Sequence, residues 1–183
     1  MQKFDEKTVL NQLGIDVSKD DYEESIKKLN KLCIHEPFKT QLFVQAFERA
    51  WCIKILDLLN KNYIDEAGIR IRLIYMNIKY NKIFNQLIKR YFEKINHEKI
   101  LGFLENRDKA IHLAMQSQYF YQENQYSEAN KSVKNCFDEI KKFFNKNFGD
   151  SEAWLLIQKS LKNINDKKIS EDLLNQILIN VDK

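Results

Sequence analysis

Apolar residues recur at three- and four-residue spacing along almost the whole chain, a period that predicts helices and little else. A short helix is expected from Glu6 to Leu13, stopped by Gly14. Ser18 or Asp20 is placed to cap a second, whose Tyr22, Ile26, Leu29 and Cys33 share one face until Glu36-Pro37 breaks it. The third is long. Leu42, Phe43, Ala46, Phe47, Ala50, Trp51, Ile53, Ile55, Leu58 and Leu59 give it a wide apolar stripe to about Asn60. Asp65 is placed to cap a fourth helix running through Ile69, Leu73, Met76 and Tyr80, and a fifth carries Ile83, Leu87, Ile88, Tyr91 and Phe92. Ile69, Ile71 and Leu73 also alternate with Arg70 and Arg72, which suits a strand, but an isolated strand would find no partner in this chain.

From near His97 the period predicts one continuous helix past Met115 to about Tyr121. Ile100, Phe103, Leu104, Ile111 and Met115 form its buried side, and Gly102 allows close packing or a bend. Ser127 then opens a helix that buries Val133, Phe137, Ile140, Phe143 and Phe144 and ends at Gly149. Its capping box is incomplete, because Asn130 stands where glutamate or glutamine would. Lys131, Lys134, Lys141, Lys142 and Lys146 turn outward, as a solvated face or as a track for a phosphate backbone. Two last helices, near 151–163 and 170–181, carry Trp154, Leu155, Leu161, Leu173, Leu174 and Ile177. The reading is all-α, a single domain over residues 1–183, with no internal repeat.

Composition excludes several classes. Four glycines and one proline, Pro37, are too few for a turn-rich all-β fold. Cys33, Cys52 and Cys136 are odd in number and far apart, so buried free thiols in a reducing compartment are expected rather than a disulfide framework or a CxxC metal pair. The segment from Met1 to Lys7 lacks the apolar core of a signal peptide, and Lys54 and Asp57 interrupt the most apolar run. A cytoplasmic chain with no membrane span is expected. The net charge of +4 agrees with an anionic partner without requiring one. The aromatics fall mostly at helical spacing, as core residues rather than a base-stacking platform. His35 and His97 lie near expected helix ends, and no acidic cluster stands at ligand spacing, so neither metal nor cofactor is expected.

Chemistry can be argued at one stretch, Glu105-Asn106-Arg107-Asp108-Lys109-Ala110-Ile111-His112. Imidazole moves protons near neutral pH, and a guanidinium holds two phosphate oxygens at once. Asp108 and His112 are an i,i+4 pair on one helix face, where a carboxylate would orient the ring and raise its pKa. The bland alternative is a solvated Arg107 beside a His112 capped by Asp108. Residues five apart on a straight helix diverge by roughly 140°. Arg107 and His112 of one chain therefore do not face the same point.

Arginine, a polar residue, a short spacer and histidine near the start of a late helix resemble the signature of the HEPN superfamily, matched here by Arg107, Asp108 and His112. A polar loop from Gln122 to Gln125 and an amphipathic helix follow, as in that family. Upstream, Phe43 to Trp51 is similar to the aromatic-rich first long helix of HEPN proteins that accompany minimal nucleotidyltransferases. The resemblance implies an antiparallel, HEPN-like helical bundle over residues 38–148, with extra N-terminal helices and a C-terminal helical extension over 150–183. It also implies a metal-independent endoribonuclease of a toxin or anti-phage defence system, acting as a homodimer with each motif contributed twice. In that role His112 is the base, Arg107 stabilises the phosphorane, Asp108 positions the ring, and Lys109, Lys131 and Lys134 hold the RNA. An antitoxin or a nucleotidyltransferase is the implied protein partner. Many toxin members carry a tyrosine two residues after the histidine, where this chain has Ala114. The alternative is a non-catalytic helical subunit that binds a nucleotidyltransferase or another protein.

Overall fold

The computed structural model describes residues 10–11, 14–16, 22–77, 82–143 and 151–181, and among these every regular element is a helix. In chain order they are α1 (Tyr22–His35), a 3₁₀ turn (Pro37–Lys39), α2 (Thr40–Asn60), α3 (Ile64–Tyr75), α4 (Lys82–Phe92), α5 (His97–Phe103), α6 (Asn106–Gln122), α7 (Tyr126–Phe143), α8 (Ser151–Leu161) and α9 (Lys167–Val181). The expected all-α class is what forms, and the alternating stretch around Ile71 is helical. The expected caps Ser18 and Asp20, the stop at Gly149 and most of the first helix lie outside the described residues.

Few glycines leave asparagine to end helices. The amide of Tyr63 donates to Leu58 O at 2.9 Å around Asn62, whose φ is +62°. Gln125 N donates to Phe120 O at 2.9 Å around Asn124, with φ +58°. Gly14, with φ +60°, does the same for Ile15 N and Leu10 O at 3.0 Å, so the expected stop there is present. Each is the six-to-one bond of a left-handed helix terminus, which asparagine tolerates better than most side chains.

The chain falls into two compact units, residues 1–74 with 78–87 and residues 75–77 with 88–183, so α4 begins in the first and ends in the second. In the first unit Tyr22 of α1 meets Phe47 and Trp51 of α2 at ring-centroid distances of 5.8 and 5.3 Å. Arg70 of α3 lies 5.6 Å from the Trp51 ring centroid and also donates to Glu66. The buried face of α3 differs from the expected one. Ala67, Ile71, Ile74 and Tyr75 are buried, whereas Ile69 and Leu73 are exposed. Large apolar residues occupy both sides of this helix, and either set satisfies a 3.6-residue period.

In the second unit α6 packs against α7 and α8, and α7 also packs against α8. Ala110 to Ser117 are buried without interruption, so over two turns α6 has no solvent face. Ala129, Val133, Cys136, Phe137 and Ile140 of α7 and Ala153, Leu156 and Ile157 of α8 join that core. One of the two helices expected in the C-terminal extension thus contributes a face to this core, with Trp154 and Leu155 on its exposed side. The last helix starts before the expected Ser170. Asp166 caps it, its Oδ1 accepting from Lys168 N at 2.9 Å and Ile169 N at 3.1 Å.

The left-handed terminus at Asn62 gives a direct test. Asn62→Gly should leave stability unchanged or slightly higher, and Asn62→Val should cost on the order of 1–2 kcal/mol in urea unfolding.

Candidate functional site

The segment that carries Arg107 and His112 is two helices, not one. Asn96 caps α5, its Oδ1 accepting from Lys99 N at 2.9 Å. Leu104 and Glu105 are then extended, and Asn106 takes φ +55° before α6 proceeds. Leucine and glutamate are good helix formers, so spacing alone could not reveal this break. A Cβ added at Gly102 would meet nothing within 4 Å, which removes the expected close packing there. Phe103, expected inside, is exposed.

The break sets Arg107 in the first turn of α6, with 44% of its side chain exposed. Its Nε donates to Glu152 Oε2 of α8 at 2.9 Å and its Nη2 donates to Glu152 Oε1, a two-pronged pair. Asp108 is 54% exposed and lies 3.9 Å from Arg107 Nη1. One and a half turns on, His112 is 0% exposed, with its ring centroid 5.1 Å from that of Phe92 and 6.1 Å from that of Tyr91. Neither ring nitrogen hydrogen-bonds Asp108, so the expected orienting pair does not form within this chain. The geometric cause is simple: Asp108 precedes the stretch where α6 becomes enclosed on every side, and His112 lies inside it.

The candidate RNA-contacting lysines lie on α6 and α7. Lys109 Nζ lies 3.4 Å from Glu139 Oε1 of α7, which Lys142 Nζ approaches at 2.9 Å. Burial works to raise the Glu139 pKa. The Lys142 hydrogen bond and the Lys109 charge outweigh it and hold the carboxyl below its usual range. Lys131 and Lys134 stand exposed on α7.

A second cluster formed that sequence reasoning did not assemble. His97, read only as a helix-end histidine, stacks on Phe92 at 5.4 Å, Phe120 at 5.6 Å and Tyr119 at 6.0 Å. Its Nδ1 is 3.0 Å from Gln116 Nε2. Nineteen residues separate that pair, and nothing local in the sequence couples them. The Cys136 thiol donates to Ala110 O at 3.2 Å, and burial pushes its pKa up to about 12; Cys52 is raised likewise to about 12. Both are buried free thiols, as expected, whereas Cys33, expected to be buried with them, is only partly covered. Among the described residues no cluster of three or more His, Cys, Asp or Glu could hold a metal, and no helix is long and apolar enough to cross a membrane.

Two measurements follow from this geometry. His112→Ala should cost about 2–4 kcal/mol of unfolding free energy, the scale of emptying a buried ring site, while Arg107→Ala should cost under about 1 kcal/mol. Similar losses in urea titrations would contradict the two environments. Burial also holds the His97 pKa below its ordinary value of 6.5. The unfolded chain then binds that proton more readily, so the stability present above about pH 6.5 is lost as pH falls. Tm should drop between pH 7.5 and 5.5, and His97→Phe should flatten that slope in scanning calorimetry. Compared with protein-family models, curated proteins and solved structures, the chain matches none.

Proposed function

We propose that the chain is a non-catalytic helical subunit that docks on a protein partner. The observation that carries this reading is the burial of His112. A general base must come within hydrogen-bond reach of the proton it takes, and a ring at 0% exposure against Tyr91 and Phe92 offers no approach to a ribose hydroxyl. A second copy of the chain does not remedy that, because adding a neighbour only covers more surface. Arg107, held by Glu152, serves to fix the start of α6 to α8.

The docking surface is the corner where α1 passes through the 3₁₀ turn into α2. Phe38 is fully exposed there, and Ile34 and Leu42 beside it in the chain are exposed as well. Burying a phenylalanine side chain contributes about 1.5–3 kcal/mol. Three apolar residues left in water at one corner therefore favour a protein with an apolar face. The HEPN-like antiparallel bundle that Arg107, Asp108 and His112 suggest belongs to this reading, and a nucleotidyltransferase is the partner class the resemblance implies.

Co-expression with the product of an adjacent reading frame tests the proposal. A stable complex should form, and Phe38→Asp should weaken it at least tenfold with Tm unchanged, since Phe38 supports no core. In parallel, single-stranded RNA incubated with the pure protein in EDTA should show no cleavage that depends on His112. RNA cut by the wild type and spared by a folded His112→Gln variant would overturn this reading and establish the ribonuclease one.

A further inference from the structure

On α1 the side turned away from the buried Tyr22, Ser25 and Leu29 carries Lys27, Lys31 and Ile34. At about 100° per residue these three fall within an arc of roughly 60°, and Lys27 stands about 10 Å along the helix from Ile34. Phe38 in the 3₁₀ turn and Leu42 in the first turn of α2 continue the exposed apolar positions. The charges along this stretch are not balanced. From Ser25 to Phe47 the one acidic residue is Glu36, against Lys27, Lys28, Lys31 and Lys39. Glu36 is taken by Lys39, and Lys28 is taken by Glu24 at 3.2 Å. Lys27 and Lys31 are exposed and form no ion pair among the described residues. The apolar corner is therefore bordered on α1 by two positive charges that no described carboxylate answers.

We propose, resting on the docking reading above, that the partner segment seated on this corner is acidic and amphipathic. Its apolar side chains cover Ile34, Phe38 and Leu42, and its carboxylates meet Lys27 and Lys31. The apolar anchors supply the affinity, while the opposite charges steer the encounter and select against basic partners. Lysine suits that second task, because its flexible stem lets a point charge follow a carboxylate without fixing the angle of approach. A bilayer is the poorer fit. Lipid-binding segments gather about four to eight lysines or arginines, whereas this corner leaves two, and Glu23 and Glu24 are exposed on the same helix.

The test uses the full chain and a fluorescein-labelled peptide of about 18 residues, with leucine and phenylalanine on one helical face and glutamates along its edges. A second peptide has glutamine for every glutamate. In anisotropy titrations at about 50 mM chloride the glutamate peptide should bind at least about fivefold more tightly, and that advantage should vanish near about 500 mM. Lys27→Gln combined with Lys31→Gln should remove the advantage, leave the glutamine peptide's affinity unchanged and melt as the wild type does. The same loss of charge at Lys162 and Lys168, exposed in the second unit, should leave the advantage intact. Phe38→Asp should weaken both peptides, and vesicles of phosphatidylserine and phosphatidylcholine should not bind. Equal binding of the two peptides that Phe38→Asp abolishes overturns the acidic partner and keeps the docking corner. Binding untouched by Phe38→Asp removes the corner itself. Binding of neither peptide, an advantage that survives in the lysine double variant, or binding to the vesicles in place of the peptides overturns the proposal.

Discussion

The enclosure of α6 on every side governs the second unit. From Ala110 to Ser117 eight consecutive residues are buried, so no position in those two turns can be chosen for solvent. Ala110 and Ala114 are small, which permits close approach of α7. Gln116 and Ser117 find hydrogen-bond partners inside, where an unmet buried donor or acceptor costs about 1–3 kcal/mol. Ser117 Oγ donates to Ala114 O at 2.7 Å and accepts from Asn163 Nδ2 at 2.9 Å, and Cys136 donates to Ala110 O. His97 and Gln116 complete the same seam at its half-buried end. The burial of His112 is one consequence of this placement rather than a separate feature.

The first unit is organised differently. Its helices keep distinct faces, and its interior is built around the rings of Tyr22, Phe47 and Trp51, whose pairings each add about 0.5–1.5 kcal/mol beyond the area they bury. More of its apolar surface stays in water, at Ile34, Phe38, Ile53 and Ile69. The first unit thus leaves several large apolar positions open to solvent. The second unit instead encloses its central helix and joins several helix ends by charge pairs at the rim.

Charge placement follows the same division between rim and interior. Arg107 with Glu152, Lys89 with Glu123 and Lys109 with Glu139 tie elements of the second unit together at exposed or half-buried positions. Exposed pairs of this kind contribute little stability each, and their value is in fixing which helix ends meet. Arginine followed by a carboxylate is therefore as useful for joining α6 to α8 as for holding a phosphate. The residue types of a reactive motif do not distinguish the two uses.

The sequence determined that this protein is helical, where α1, α2 and α4 lie, and that its cysteines are buried thiols or nearly so, because those properties depend on local spacing and composition. It also indicated that Arg107 and His112 diverge on one helix, which is a matter of 100° per residue. The faces of α3 were not legible, since Ile69 with Leu73 and Ile71 with Ile74 satisfy the same period. Nor was the break at Leu104 and Glu105, two residues with ordinary helical preference. Only the tertiary structure decided that α6 is central, and with it that Asp108 meets water while His112 does not. Burial on all sides requires helices from distant parts of the chain, and a helix surrounded by α7 and α8 carries no periodic mark of their presence in its own residues.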